Sequence, residues 1–325
     1  MCDLAGTIDM LSFLAAIESG NMRKVRNFVS NEPITWKTVV SEDGLFAIAL
    51  AIWCKHCEMV KYFLSAGWGI EKPVDTKYGG TAFLYAALVG PVHALNLLIG
   101  KGCNVQATDD FGNGALACAC FGGNLAIVKI LIEMGFSVNE THEDDYTSLH
   151  CAADRGHVKI AAYLIENGAN IEAETIHGYT PFLVACQCQR VDVVELLLSK
   201  GCNVYAKRER GDGALAMACW KGNVNLALDL IQAGLDVNEA EVFGFTSLHW
   251  AAKNGRHSLA DLLIIVGANL EVKDKTGSTP ILLSAASGNI DLLDMLVLKG
   301  CDVQAKNKES ILFTIRIRRS NRNII

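Results

Sequence analysis

Gly67, Gly102, Gly135, Gly168, Gly201, Gly234, Gly267 and Gly300 form a ladder with a 33-residue step after a first step of 35. A fixed period in this range restricts a chain to a stack of like supersecondary units, none of which can bury its apolar face alone. A second ladder lies 23 residues upstream: Gly44, Gly79, Gly112, Asp145, Gly178, Gly211, Gly244 and Gly277. Together they predict eight full repeats over 41–309. Residues 1–40 read as a degenerate N-terminal capping repeat, with Ala15-Ala16 and Gly20-Asn21 marking a helix and a turn. Residues 310–325 read as a partial unit, either a capping helix or a truncated repeat, ending in the basic Arg316, Arg318, Arg319 and Arg322. Length alone would suggest two globular domains, but the uniform period predicts one elongated array without an internal boundary.

Each unit carries its own start and stop signals. Thr81, Thr147, Thr180, Thr246 and Thr279 stand two residues after the upstream glycine slot and are good N-caps, with Pro181 and Pro280 at the first helical position. Gly90, Gly123, Gly156, Gly222, Gly255 and Gly288 end that first helix. A second apolar run, such as Val193-Val194-Glu195-Leu196-Leu197-Leu198, then forms an outer helix. The first full unit, Gly44-Leu45-Phe46-Ala47-Ile48-Ala49, lacks the capping Thr and the His and rests on the period and Gly67. A longer period of 99 residues is also present, in Lys101-Gly102-Cys103, Lys200-Gly201-Cys202 and Lys299-Gly300-Cys301, and reads as duplication of a three-repeat segment.

The units Tyr146-Thr147-Ser148-Leu149-His150-Cys151-Ala152-Ala153 and Phe245-Thr246-Ser247-Leu248-His249-Trp250-Ala251-Ala252 resemble the ankyrin repeat, and the resemblance runs from about residue 9 to 309. It implies an all-α solenoid of antiparallel helix pairs joined by β-turn fingers, with a concave binding face. It also implies that His150 and His249 are structural, bonding across adjacent turns, and that asparagines such as Asn139 and Asn238 stand where some relatives are hydroxylated.

Composition narrows the function classes. The net charge of −6 provides no field for a phosphate backbone, so nucleic acid is not expected as a partner. The longest apolar run, Leu45 to Cys54, is far below the roughly 20 residues of a spanning helix, so no membrane insertion is expected. The N-terminus bears Asp3 where a signal peptide carries basic residues. Most of the 12 cysteines occupy small-residue slots of a helix. They read as reduced thiols of a cytosolic or nuclear protein rather than as a disulfide framework.

Three groups invite a chemical reading. Cys54-Lys55-His56-Cys57 has zinc-like spacing, but structural zinc wants four ligands and no second pair follows. Cys118 with Cys120 and Cys186 with Cys188 are two apart on a helix and point about 200° apart. Neither a phosphate loop nor a nucleophile elbow is present. The expectation is no enzyme, no metal and no cofactor.

The resemblance implies that a protein partner contacts the fingertips flanking the upstream glycine and the end of the inner helix. The fingertips carry Tyr78, Phe111, Asp144, Tyr146, His177, Tyr179, Arg210, Asp212, Phe243 and Phe245. The helix ends carry Trp53, Phe121, Asp154, Arg155, Trp220, Lys221 and Lys253. Tyr, Trp and Arg dominate binding hot spots, and so many rings in turns predict an interaction surface. Trp220, Phe243 and Phe245 are its expected anchor, with Asp144, Asp154 and Asp212 selecting basic neighbours. The resulting expectation is a non-catalytic scaffold or adaptor. The alternatives are a substrate-recruiting region of a larger ligase or kinase, or a pathogen effector.

Overall fold

The computed structural model describes residues 4–31, 37, 46–75 and 79–307. Gly44, Tyr78 and the partial unit 310–325 with its basic tail lie outside the described residues. Among the described residues there are eighteen α-helices, and the only extended pairing is in isolated bridges. Packing divides the chain after Asn170 into two compact units.

In unit 1 the helices follow in pairs: α1 (Leu4–Glu18) and α2 (Met22–Asn31), α3 (Ala47–Trp53) and α4 (Cys57–Ser65), α5 (Ala82–Val89) and α6 (Val92–Gly100), α7 (Ala115–Gly122) and α8 (Leu125–Glu133), α9 (Ser148–Arg155) and α10 (Val158–Glu166). The odd-numbered helices pack on one another from α1 to α9, and the even-numbered ones from α4 to α10. Residues 4–31 are thus a helix pair of the same kind. Phe13 of α1 stacks on Phe28 at 4.3 Å and meets Phe63 of α4 edge-on at 6.4 Å.

Unit 2 repeats the pattern: α11 (Pro181–Gln187) and α12 (Val191–Ser199), α13 (Ala214–Lys221) and α14 (Val224–Gln232), α15 (Ser247–Lys253) and α16 (His257–Ile265), α17 (Pro280–Ala286) and α18 (Ile290–Leu298). Helices α11, α13, α15 and α17 pack in sequence as the inner row, and α14 lies on α16 in the outer row.

Small residues make the inner rows possible. Ala86-Ala87, Ala119-Cys120 and Ala152-Ala153 in unit 1, and Ala185-Cys186, Ala218-Cys219 and Ala251-Ala252 in unit 2, are fully buried where neighbouring helices meet. The approach is closest at Gly122, where a Cβ would lie 1.7 Å from the Leu88 carbonyl oxygen. Large aliphatic residues, such as Leu131, Leu164, Leu197 and Leu230, fill the space between inner and outer rows.

Six fingers are closed by the same backbone bond, from an N–H to the carbonyl four residues on: Asp109 to Asn113, His142 to Tyr146, Thr175 to Tyr179, Arg208 to Asp212, Glu241 to Phe245 and Asp274 to Ser278. In unit 2 the fingers are also joined to each other. Glu209 N–H donates to the His177 carbonyl, Val242 to Arg210 and Lys275 to Phe243, at 2.8–3.2 Å. At Gly244, with φ +84, a Cβ would come within 3.0 Å of the Asp274 backbone in the next finger. Asp145 occupies that slot in unit 1, and there both Asp144 and Asp145 take left-handed backbone conformations that favour glycine.

The cap expectations hold at four of five threonines. Thr81, Thr147 and Thr180 accept from the N–H three residues on, and Thr246 bonds His249 Nδ1 through its hydroxyl at 2.9 Å. Thr279 has the N-cap backbone but a buried hydroxyl without a partner, so its helix α17 starts on Pro280 rather than on a side-chain cap. Where the inner helix lacks a terminal glycine, Lys55 and Gln189 take the left-handed conformation instead.

Of the two histidines of the repeat motif, His249 bonds across to the next turn as the resemblance implies, and His150 caps its own helix. His150 Nδ1 lies 3.1 Å from Thr147 N and 2.8 Å from its hydroxyl. His249 Nδ1 accepts from Thr246 N at 3.1 Å, which leaves the proton on Nε2 to donate to the Ser278 carbonyl, 3.1 Å away in the next finger. His249 is fully buried, and this burial pushes its pKa below the ordinary value against the opposing pull of Ser278, Asp274 and Glu241. The unfolded chain therefore binds a proton at a pH where the folded chain does not, so stability is lost as pH falls through about 6.5. We expect urea unfolding at pH 7 and pH 5.5 to show this loss. A His249→Gln chain, less stable at pH 7, should lose less over the same interval.

Candidate functional site

The sequence-predicted residues that are described stand at inner-helix ends and on fingers, but not all of them reach the surface. In unit 1, Trp53 is 56% exposed at the end of α3. Phe111 is exposed on its fingertip, where Asp109 Oδ1 accepts from the Phe111 backbone at 3.0 Å. Phe121 and Arg155, on the ends of α7 and α9, form a cation–π pair with the guanidinium 4.1 Å from the ring centre. Asp154 is half-buried and Asp144 exposed. Tyr146 turns inward, its ring 4.9 Å from His150 and 5.9 Å from His142.

In unit 2, Phe243 is 55% exposed and Trp220 is 42% exposed. Lys221 holds its ammonium 4.6 Å from the Trp220 ring, and Lys253 lies 5.4 Å from Phe245 and 5.5 Å from Trp250. Phe245 is half-buried; its ring neighbours are His249 at 5.4 Å and Trp250 at 5.1 Å. Its ring is therefore packed against the fold rather than projecting as the expected anchor. Tyr179 is also drawn in, its hydroxyl accepting from Arg208 at 2.7 Å with the guanidinium 5.5 Å from its ring. His177 is exposed with Nδ1 3.9 Å from Glu209, and Arg210 is exposed on the next fingertip.

One expected selector fails on geometry. Asp212 is 5% exposed and ion-paired with Arg208, so its carboxylate closes its own finger and is not offered to a partner. The cause is local: Arg208 starts the finger and reaches the residue four positions on, whose amide carbonyl it already bonds.

Sequence reading missed three apolar side chains. Ile176 and Val242 are exposed two residues before the glycine, a slot that elsewhere holds Asp110, Glu143, Glu209 and Lys275. An apolar residue in a slot otherwise charged was the available signal. Trp250 follows the structural His249, and its indole N–H is enclosed without an acceptor, a loss of roughly 1–3 kcal/mol for a buried donor.

The other chemical candidates are tied into the fold. His56 Nε2 lies 3.1 Å from the Glu18 carbonyl, linking α4 to α1, and His157 Nε2 lies 3.2 Å from the Phe121 carbonyl. Asn124 and Asn289 bond the carbonyls of Gly90 and Ala252 from the same slot. Asn139 donates to the Gly168 carbonyl and accepts from Asn170 N, and Asn238 does the same with Gly267 and Asn269. Burial raises the thiol pKa of Cys54 and Cys57, and pushes Cys120 and Cys219 up to about 12 against the hydrogen bonds from Ser148 and Ser247. Cys120 and Cys219 are thus core thiols.

The family model for ankyrin repeats (3 copies) matches residues 83–175, 118–208, 172–241 and 215–307. No curated protein matches the chain. Among the described residues no helix is long and apolar enough to cross a membrane. In the native chain, titration with Ellman's reagent should modify the half-buried Cys54, Cys57 and Cys188 first among the described cysteines. The buried ones, Cys118, Cys120, Cys151, Cys186 and Cys219, should react only on unfolding. Its structure and these matches place the chain in the ankyrin-repeat family, whose arrays are generally non-catalytic protein–protein interaction modules.

Proposed function

We propose that the chain is a non-catalytic scaffold or adaptor of the cytosol that binds a protein partner through its fingers and inner-helix ends. Trp220 and Phe243 are its anchor, and Phe245 and Trp250 form the wall behind them. The observation that carries this reading is exposure where folding does not require it. Trp220 and Phe243 leave large rings in water on the side where inner helices and fingers end. Aromatic rings flanked by cations are the side chains from which binding hot spots are built. Phe111, Phe121 with Arg155, and Trp53 extend the same use to unit 1, and the reduced buried cysteines fit a reducing compartment.

The test is affinity capture from lysate with mass spectrometry, comparing the wild-type chain with a folded Trp220→Ala, Phe243→Ala chain. A protein held by the first and lost from the second is expected, and for that protein Trp220→Ala alone should weaken binding by at least about 1 kcal/mol. Retention of the same proteins by both would remove the anchor from this surface.

A further inference from the structure

The charges of unit 2 are sorted by helix row. The inner helices α11, α13, α15 and α17 contain no acidic residue, and their cations are Lys221 and Lys253. The outer helices carry the acids: Asp192 and Glu195 in α12, Asp229 in α14, Asp261 in α16, and Asp291 and Asp294 in α18. The fingers sharpen the contrast. Asp212 is held by Arg208, Glu241 accepts from Phe245 N at 3.0 Å, and Asp274 accepts from Thr276 N and Ser278 N at 2.8 Å. These carboxylates are buried and committed to their own turns. Glu209, 3.9 Å from His177, is the exposed carboxylate of the fingertips. Lys221, Lys253 and Arg210 have no ion-pair partner among the described residues.

We propose that the finger and inner-helix side of unit 2 takes an acidic peptide segment with interspersed apolar side chains. This rests on the protein-binding reading above and adds the chemistry of the partner. Trp220 and Phe243 receive the apolar groups; Lys221 and Lys253 pair with the carboxylates. The two ammonium groups are already held against rings, so less side-chain freedom is lost when a carboxylate arrives. The acids of the outer helices repel the same segment and confine it to the inner side. A single-stranded nucleic acid fits less well. It presents a phosphate at every nucleotide, whereas these lysines are one repeat apart on a chain of net charge −6.

The experiment uses fluorescein-labelled copolymers and the full chain, read by fluorescence anisotropy. A random glutamate–tyrosine copolymer should bind, more weakly as salt is raised. A lysine–tyrosine copolymer of equal length and a labelled single-stranded DNA should bind more weakly than it. Lys221→Glu with Lys253→Glu should lose about tenfold or more in affinity for the acidic copolymer. These positions lie outside the core, and circular dichroism of the variant confirms the helices. Preference for the basic copolymer or for DNA, or unchanged affinity in the charge-reversed chain, overturns the proposal. If the cellular protein lost from the Trp220→Ala, Phe243→Ala chain is still held by the charge-reversed chain, the acidic-partner inference fails and the aromatic surface stands. If both variants hold every protein that the wild-type chain captures, both readings fail.

Discussion

Within each unit a described helix pair has more apolar surface than it can cover by itself, and a neighbouring pair of the same unit covers the remainder. That dependence sets the residue types of the inner helices. Alanine and cysteine recur at the contacts because a larger side chain would separate the backbones, and at Gly122 even a methyl group would meet the Leu88 carbonyl. The polar links obey the same logic. His249 to the Ser278 carbonyl, Asn139 to Gly168 and Asn289 to Ala252 each span about one repeat inside one unit, so polar groups of one repeat are satisfied by its neighbour. A histidine or asparagine that would read as chemistry in an isolated motif is here the fastening between repeats.

The fold was legible because it is written many times. The two glycine ladders, the capping threonines and the paired small residues repeat at one spacing, and each repetition corroborates the others. Legibility falls where a single position departs. Thr279 carries the capping letter but not the bond, and Lys55 and Gln189 take backbone conformations that glycine supplies elsewhere. The candidate surface was less legible than the fold. Repeat position says that Phe243, Phe245, Tyr146 and Tyr179 are at fingertips, but not which way a ring turns. Phe243 points to water, whereas Phe245 leans on His249 and Trp250, and Tyr179 is drawn in by Arg208. The same limit hid the fate of Asp212, whose partner lies in its own finger.

Those orientations change the chemistry of the surface. From residue letters alone, the fingers offered aspartates to basic partners; in the folded unit 2 the buried carboxylates close turns and the uncommitted charges beside the rings are ammonium groups. Folding therefore withdraws Asp212 from the unit 2 fingers and leaves ammonium groups beside the rings. The structural histidines, the buried thiols and the clamp asparagines are absorbed by packing. The exposed aromatic rings with their lysines are what stability leaves over.

That last claim has a direct measurement: urea unfolding of Trp220→Ala and Phe243→Ala beside wild type. Rings that serve a partner are not needed by the fold, so each variant should keep wild-type stability to within about 0.5 kcal/mol. A loss of about 3 kcal/mol or more, the size seen for a truncated core aromatic, would mean that these rings hold the repeats together and are not a binding surface.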